Sequence, residues 1–298
     1  MAELTTIETG SSTKLINEEW LIPSSDTPLR QGDLLIRRNP KTGALGGICL
    51  VITADCDISQ HKFGTHLAAL RVISFEDYIR NVWAEKKLSN IFNKEFKKIQ
   101  DQINKWNTVR AAEAIALSPE VVQRWLRTNT AKEICEELSI PSSDSGRVAN
   151  NLENFQKAMQ AIDKANTDDN LEKLAAFCAI TQAGKTHQEH LDIYIKNAHS
   201  AELPEDIFLL TTLPQIENGP AIILFREFVS VQEKDIFYRA SDATSDSVFL
   251  RIGKLDATIQ YAVSQAFGSL FSRIGLPSAY EKHRAMAIEA SANKPWTK

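Results

Sequence analysis

From Phe75 to Trp106 the apolar residues recur at helical spacing, and this stripe constrains the fold more than any other feature of the chain. Phe75, Tyr78, Ile79, Val82 and Trp83 lead into Leu88, Phe92, Phe96, Ile99, Ile103 and Trp106, with Lys, Glu and Gln on the other faces. Steps of four and three on one face predict an amphipathic helix with a coiled-coil-like stripe. Ser74 ahead of Glu76 and Asp77 is a helix start. A continuous helix here would be about 50 Å long at 1.5 Å per residue, too long to lie along a small β-domain. It requires partner helices, and the following segment supplies them. Helical patterns continue at Val109–Ala116, Pro119–Arg127, Ala131–Leu138, Val148–Ala165 and Leu171–Ala183. In Ser118-Pro119-Glu120, a capping serine precedes a proline at the first helical position.

Strand patterns stand on either side. Asp33–Arg37, Gly47–Thr53 and Leu67–Ile73 come before the helices, with Asn39-Pro40-Lys41-Thr42-Gly43 as a turn between the first two. Leu191–Ile195, Ile207–Leu213, Ala221–Val231 and Val248–Ile252 read as strands after them. Leu255–Ile274 is then a helix, with Gly275 at the capping position and Pro277 beyond, and Tyr280–Ala290 is a last helical piece with little to bury. The expected fold class is α+β: a β-barrel built from two sequence segments, interrupted by a helical insertion and covered by a C-terminal helix. The expected boundaries are a disordered N-terminus over 1–14, barrel segments over 15–73 and 186–252, a helical insertion over 74–185 and C-terminal helices over 253–298.

Composition narrows the function classes. A chain of 298 residues with 43% hydrophobic and 24% charged residues buries a full core. The net charge of -4 weighs against a dedicated nucleic-acid binder, which carries a basic surplus to neutralise phosphates. Cys49, Cys56, Cys135 and Cys178 form no CxxC pair, which fits free thiols in a reducing cytoplasm. No window approaches the roughly 20 apolar residues that a membrane span needs. The N-terminus lacks the basic start and apolar run of a signal peptide.

Three constellations carry candidate chemistry. Asp55-Cys56-Asp57 follows the Gly47–Thr53 strand, and Cys56, Asp57 and His61 are the candidate catalytic set. A reactive thiol needs a neighbouring cation, and two flanking carboxylates push the other way, so a packed cysteine with turn-forming neighbours is the competing reading. Cys56, Asp57, His61 and His66, or His187 with His190, match no strong zinc spacing, and neither a metal nor a cofactor is expected. Ala112, Ala116, Leu117, Ser118, Val122 and Trp125 have helix-turn-helix spacing, and Gln123, Arg124 and Arg127 are the candidate nucleic-acid-binding residues. Such spacing also arises in a tight helical hairpin. Gly184-Lys185-Thr186 ends like a phosphate loop, but Ala179 stands where the first glycine is required.

The run Arg30-Gln31-Gly32-Asp33-Leu34-Leu35-Ile36, then Asn39-Pro40-Lys41-Thr42-Gly43, Gly46-Gly47 and Leu50-Val51-Ile52-Thr53, resembles the opening of the SH3-like barrels of the MazF/PemK toxin family. The resemblance implies an SH3-like barrel. That family carries an Arg-Pro pair before the hydrophobic strand, and its Arg takes part in RNA cleavage; Gly47 and Ile48 stand there in this chain. Thr53-Ala54-Asp55-Cys56-Asp57-Ile58 is also similar to bacterial proteins with a Cys-Asp motif after a barrel strand, some encoded near signalling or phage-defence genes. The expected function is accordingly a bacterial protein-binding or adaptor module, with the helical insertion contacting a protein partner and homo-oligomerisation open. The alternatives are a MazF-like endoribonuclease or other nuclease toxin, and a helix-turn-helix regulator.

Overall fold

The computed structural model describes residues 19–292, other than 40, 111–114, 166–167, 183, 217–218, 240–241, 243–247 and 273–277. The expected disordered stretch 1–14 lies outside the described residues, as do Ala112, Gly275 and Pro277. The chain divides into two compact units, Met1–Ile73 with Pro204–Lys298, and Ser74–Leu203.

The first unit opens with β1 (Trp20–Leu21), β2 (Asp33–Arg38), β3 (Leu45–Val51), α1 (Asp55–Ser59) and β4 (His66–Ser74). The helical unit follows with α2 (Phe75–Asp77), a π-helical turn (Tyr78–Trp83), α3 (Ala84–Arg110), α4 (Pro119–Thr128) and α5 (Ala131–Glu137). It ends with α6 (Ser142–Lys164), α7 (Asn170–Thr181) and α8 (His187–Ser200). The chain then returns to the first unit as β5 (Ile207–Leu210), β6 (Ala221–Gln232), β7 (Ile236–Phe237), β8 (Phe249–Leu255), α9 (Ala257–Ser272) and α10 (Ser278–Ala292).

The strands form one sheet in the order β1-β8-β2-β3-β4-β6-β5, with β7 alongside β8. Leu34 faces Leu50 across β2–β3 and Gly253 across β2–β8, so strands from both sequence segments share the sheet. The β2–β3 turn is set by Asn39, whose side-chain oxygen accepts from the N–H groups of Lys41 and Thr42 at 2.9 and 3.1 Å. Gly43 closes it at φ 73°, a conformation that an L side chain resists. The apolar run of β2 is continuous because both its faces are buried. Leu34 and Ile36 join a core with Leu50, Leu70, Ile223 and Phe225, over which α9 lays Val263, Ile259, Phe267 and Leu270. Leu35 turns to a second core with Val51, Leu67 and Val231, which Ile58 of α1 helps to cover. The path runs from β1 to β5 without closing, so the expected barrel is an open, mainly antiparallel sheet among the described residues, its two ends formed by a two-residue and a four-residue strand.

In the helical unit the α3 stripe faces inward. Phe96, Ile99 and Ile103 are buried, and the Phe92 ring lies 5.5 Å from Phe155 of α6 and 5.7 Å from Phe177 of α7. Ser74 caps α2 by accepting from the Asp77 N–H at 2.9 Å. The expected strand Leu191–Ile195 is instead part of α8. Its alternating Leu-Asp-Ile-Tyr-Ile fits either period over five residues. The Thr186–Glu189 capping box and the burial of Leu191, Tyr194 and Ala198 at helical steps decide for helix. Of the expected helix Val109–Ala116, Val109 and Arg110 belong to α3, residues 111–114 lie outside the described residues, and residues 115–118 carry no regular secondary structure.

Candidate functional site

The Cys-Asp segment follows the end of β3. Asp55 is occupied structurally: its Oδ1 accepts from the Gln31 N–H at 2.8 Å, fastening the approach to β2. Ile58 anchors α1 to the second core, which leaves Cys56 outward and exposed. The Cys56 thiol donates to Asp57 Oδ1 at 3.7 Å, a carboxylate rather than a cation. His61, at φ 51°, places Nδ1 3.9 Å from Glu233 Oε2, with its side chain 76% exposed. No hydrogen bond joins His61 to Cys56 among the described residues. His66 is held at both ring nitrogens, by Thr65 Oγ1 at 2.7 Å and Gln232 Nε2 at 2.9 Å. Among the described residues, no three His, Cys, Asp or Glu side chains group to hold a metal.

The helix-turn-helix candidates sit on α4. Gln123 is half-buried, while Arg124 and Arg127 are exposed. Arg127 leans toward Asp163 of α6 at 3.4 Å, and Arg124 has no ion-pair partner among the described residues. Ser118 caps α4 by accepting from the Val121 N–H, and Val122 and Leu126 bury the inner face. Gly184-Lys185-Thr186 is a helix lead-in, with Thr186 capping α8.

A groove of about 300 Å³ opens beside α4, lined by Arg110, Leu117, Val121, Arg124, Trp125 and Glu137 among others. Its construction went unread in the sequence. Three amides bordering the buried stripe of α3, Gln100, Asn104 and Asn107, hold the stretch before α4. Asn104 accepts from the Leu117 N–H at 2.7 Å, Gln100 donates to the Leu117 carbonyl at 3.2 Å, and Asn107 donates to the Ile115 carbonyl at 3.2 Å. Backbone groups that would otherwise be unpaired are thereby satisfied, and Leu117 is set at the groove wall. Arg110 donates to the Glu137 carbonyl at 2.8 Å, a cation on the C-terminal end of α5 where the helix dipole favours it. Val121, on the groove wall, is 41% exposed. The signal available in the sequence was the i, i+4, i+7 spacing of three uncharged amides beside the apolar stripe.

No family model, curated protein or solved structure matches the chain.

Proposed function

We propose that the chain is a protein-binding module whose helical unit takes up a segment of a partner in the groove beside α4. The observation that carries this reading is the juxtaposition of Val121, apolar and solvent-exposed, with the half-buried Leu117 and Trp125 and the unpaired guanidinium of Arg124. Aromatic anchors in a pocket with arginine at the margin are the side chains that concentrate binding energy at protein interfaces. The α3 stripe is consumed inside the unit, so a partner would engage this groove rather than the stripe. The Cys56 segment supports catalysis less well, because its neighbour is a carboxylate and His61 pairs elsewhere. SH3-like ancestry belongs to this reading, supported by the β2–β3–β4 order and the Asn39–Gly43 turn.

The test places a photo-crosslinking aromatic residue at Val121 in the full chain, expressed in its source cell, with the same group at exposed Lys86 as control. A discrete adduct from position 121, absent from position 86 and lost on Trp125→Glu, is the expected result. No adduct specific to position 121 would overturn the proposal.

A further inference from the structure

The outer face of α3 concentrates positive charge in a chain that is negative as a whole. Its 27 residues hold seven Lys or Arg and three Asp or Glu, a net charge of +4, whereas the whole chain carries -4. The negative surplus therefore lies elsewhere, and the bulk charge does not weigh against a local cationic surface. Lys86, Lys94, Lys97, Lys98 and Lys105 are exposed. At 3.6 residues per turn they fall within about 120° of the helix circumference, and at 1.5 Å per residue the row runs about 28 Å from Lys86 to Lys105. One exposed carboxylate, Asp101, lies within the same arc. Lys98 pairs with Glu95 at 2.7 Å, while Lys86, Lys94, Lys97 and Lys105 have no carboxylate partner among the described residues.

The arrangement costs the helix stability. Lys94 stands three residues from Lys97 and four from Lys98, the spacings at which like charges on a helix repel. Solubility alone would be served by alternating signs, as in the Glu153–Lys157 pair of α6. The repulsion is offset where an anion lies across the row.

We propose that this face of α3 binds the phosphate backbone of double-stranded DNA without reading its sequence. Lysine meets phosphate oxygens as a point charge, and a row without arginine lacks the planar fork that recognises a carboxylate by its geometry. Every exposed residue from Lys86 to Lys105 is polar, and the apolar stripe is turned into the unit. The face therefore has neither the apolar side on which a helix lies in a bilayer nor the exposed aromatic rings on which single strands stack. A duplex is a stiff anion with phosphates about 3.4 Å apart on each strand, so about eight of them run beside a straight row of this length. B-form DNA fits better than A-form RNA. Its major groove, about 12 Å wide, brings both phosphate rims to a face as broad as this one, whereas that of RNA is deep and narrow. None of the five lysines lines the groove beside α4, so the proposal does not rest on the reading of that groove.

The test is titration of a labelled DNA duplex of mixed sequence with the full chain, between about 50 mM and about 200 mM salt. With the four unpaired lysines on phosphates, log affinity should fall against log salt with a slope of about -3.6, a loss of about 150-fold over that range. Lys94→Gln with Lys97→Gln should bring the slope to about -1.8 and the loss to about 12-fold. The same variant should keep its thermal midpoint, because the substitutions remove a repulsion. Lys132→Gln with Lys157→Gln takes equal charge from α5 and α6 and should leave the slope unchanged. Absence of binding at the lowest salt, a slope indifferent to Lys94 and Lys97, or a slope that falls equally in the α5–α6 variant would each overturn the proposal. So would tighter binding to double-stranded RNA, to poly-glutamate or to phosphatidylserine vesicles than to the DNA duplex.

Discussion

Arg251 of β8 donates from Nη2 to Asp33 Oδ1 of β2 at 2.7 Å, with side chains 2% and 0% exposed. The pair is the most deeply buried charge in the sheet, and its neighbours are arranged around it. Asp33 Oδ2 accepts from the Arg30 N–H at 2.7 Å, and Arg251 Nη1 donates to the Thr27 carbonyl at 2.7 Å. The Arg251 guanidinium carbon lies 5.5 Å from the centroid of the Tyr238 ring, while its Nε finds no partner among the described residues. Burial pushes the Asp33 carboxyl above its ordinary range, and the Arg30 N–H and Arg251 pull it back. Each ion is held in place chiefly because the other is there. Arg251→Met should therefore destabilise the first unit by about 3–5 kcal/mol, the cost of a buried charge left alone. Arg251→Met with Asp33→Leu should recover most of that loss. Urea unfolding of the two variants measures the difference; equal losses would show that the pair is not coupled.

Glu19 is a second buried carboxylate, and it ties the start of the described chain to the end of β5. Its Oε2 accepts from the N–H groups of Thr211 and Thr212 at 2.6 and 3.1 Å, and its carbonyl accepts from the Asp256 N–H ahead of α9. Glu19→Ala strands two backbone donors in a half-buried site. The expected loss is about 1–3 kcal/mol, the range for an unsatisfied buried polar group. Hydrogen exchange at Thr211 and Thr212 should accelerate more than exchange at Leu50 in the sheet centre.

Two helices of the second unit begin with reciprocal caps, Thr130–Glu133 and Thr186–Glu189. In each, the threonine N–H donates to the glutamate and lowers its pKa below the ordinary 4.5. A carboxylate whose folded pKa is depressed contributes stability above its unfolded pKa and loses it as pH falls through the folded one. Acidification below about pH 4.5 should thus weaken α5 and α8 in the wild-type chain. Glu133→Gln with Glu189→Gln keeps an acceptor but removes the titration, so its helical circular dichroism should vary less with pH over that interval. Parallel acid transitions in wild type and variant would refute the capping account.

The sequence disclosed those caps unevenly, and the reasons are physical. Ser118-Pro119 and Ser74 were readable because a cap is a local contract among four residues. The α3 stripe was readable because a helical period over thirty residues has no rival. Leu191–Ile195 was misread because five residues satisfy two periods at once. Helix α1 went unseen: its one buried anchor, Ile58, gives no period at all. The pairing of the two β-segments was the simplest assembly of the strand patterns on either side of the helices, while the open ends of the sheet depend on β1 and β5, two and four residues long. In the groove, Arg124 was visible as an exposed cation, whereas Arg110, Leu117 and Glu137 converge only through long-range contacts that no local pattern encodes.

The four cysteines make the last prediction, because only one of them is exposed. Cys49 is buried between β2 and β4, where burial pushes its thiol up to about 12. Burial likewise raises Cys135 and Cys178, and Cys178 shares a hydrogen bond with Tyr194 at 3.1 Å. A thiol reacts as its thiolate, and a buried one must also wait for the fold to open. An aromatic disulfide reagent at pH 8 should therefore modify one thiol rapidly in the folded chain and the other three only on unfolding. Cys56→Ser should abolish the rapid phase and leave the slow one. Two rapid thiols in the wild-type chain would mean that one of the cores around Cys49, Cys135 or Cys178 opens on the timescale of the reagent. If Cys56 stands outside the binding surface, its modification should leave the Val121 photo-adduct at full yield, because the thiol and the groove belong to separate units of the chain.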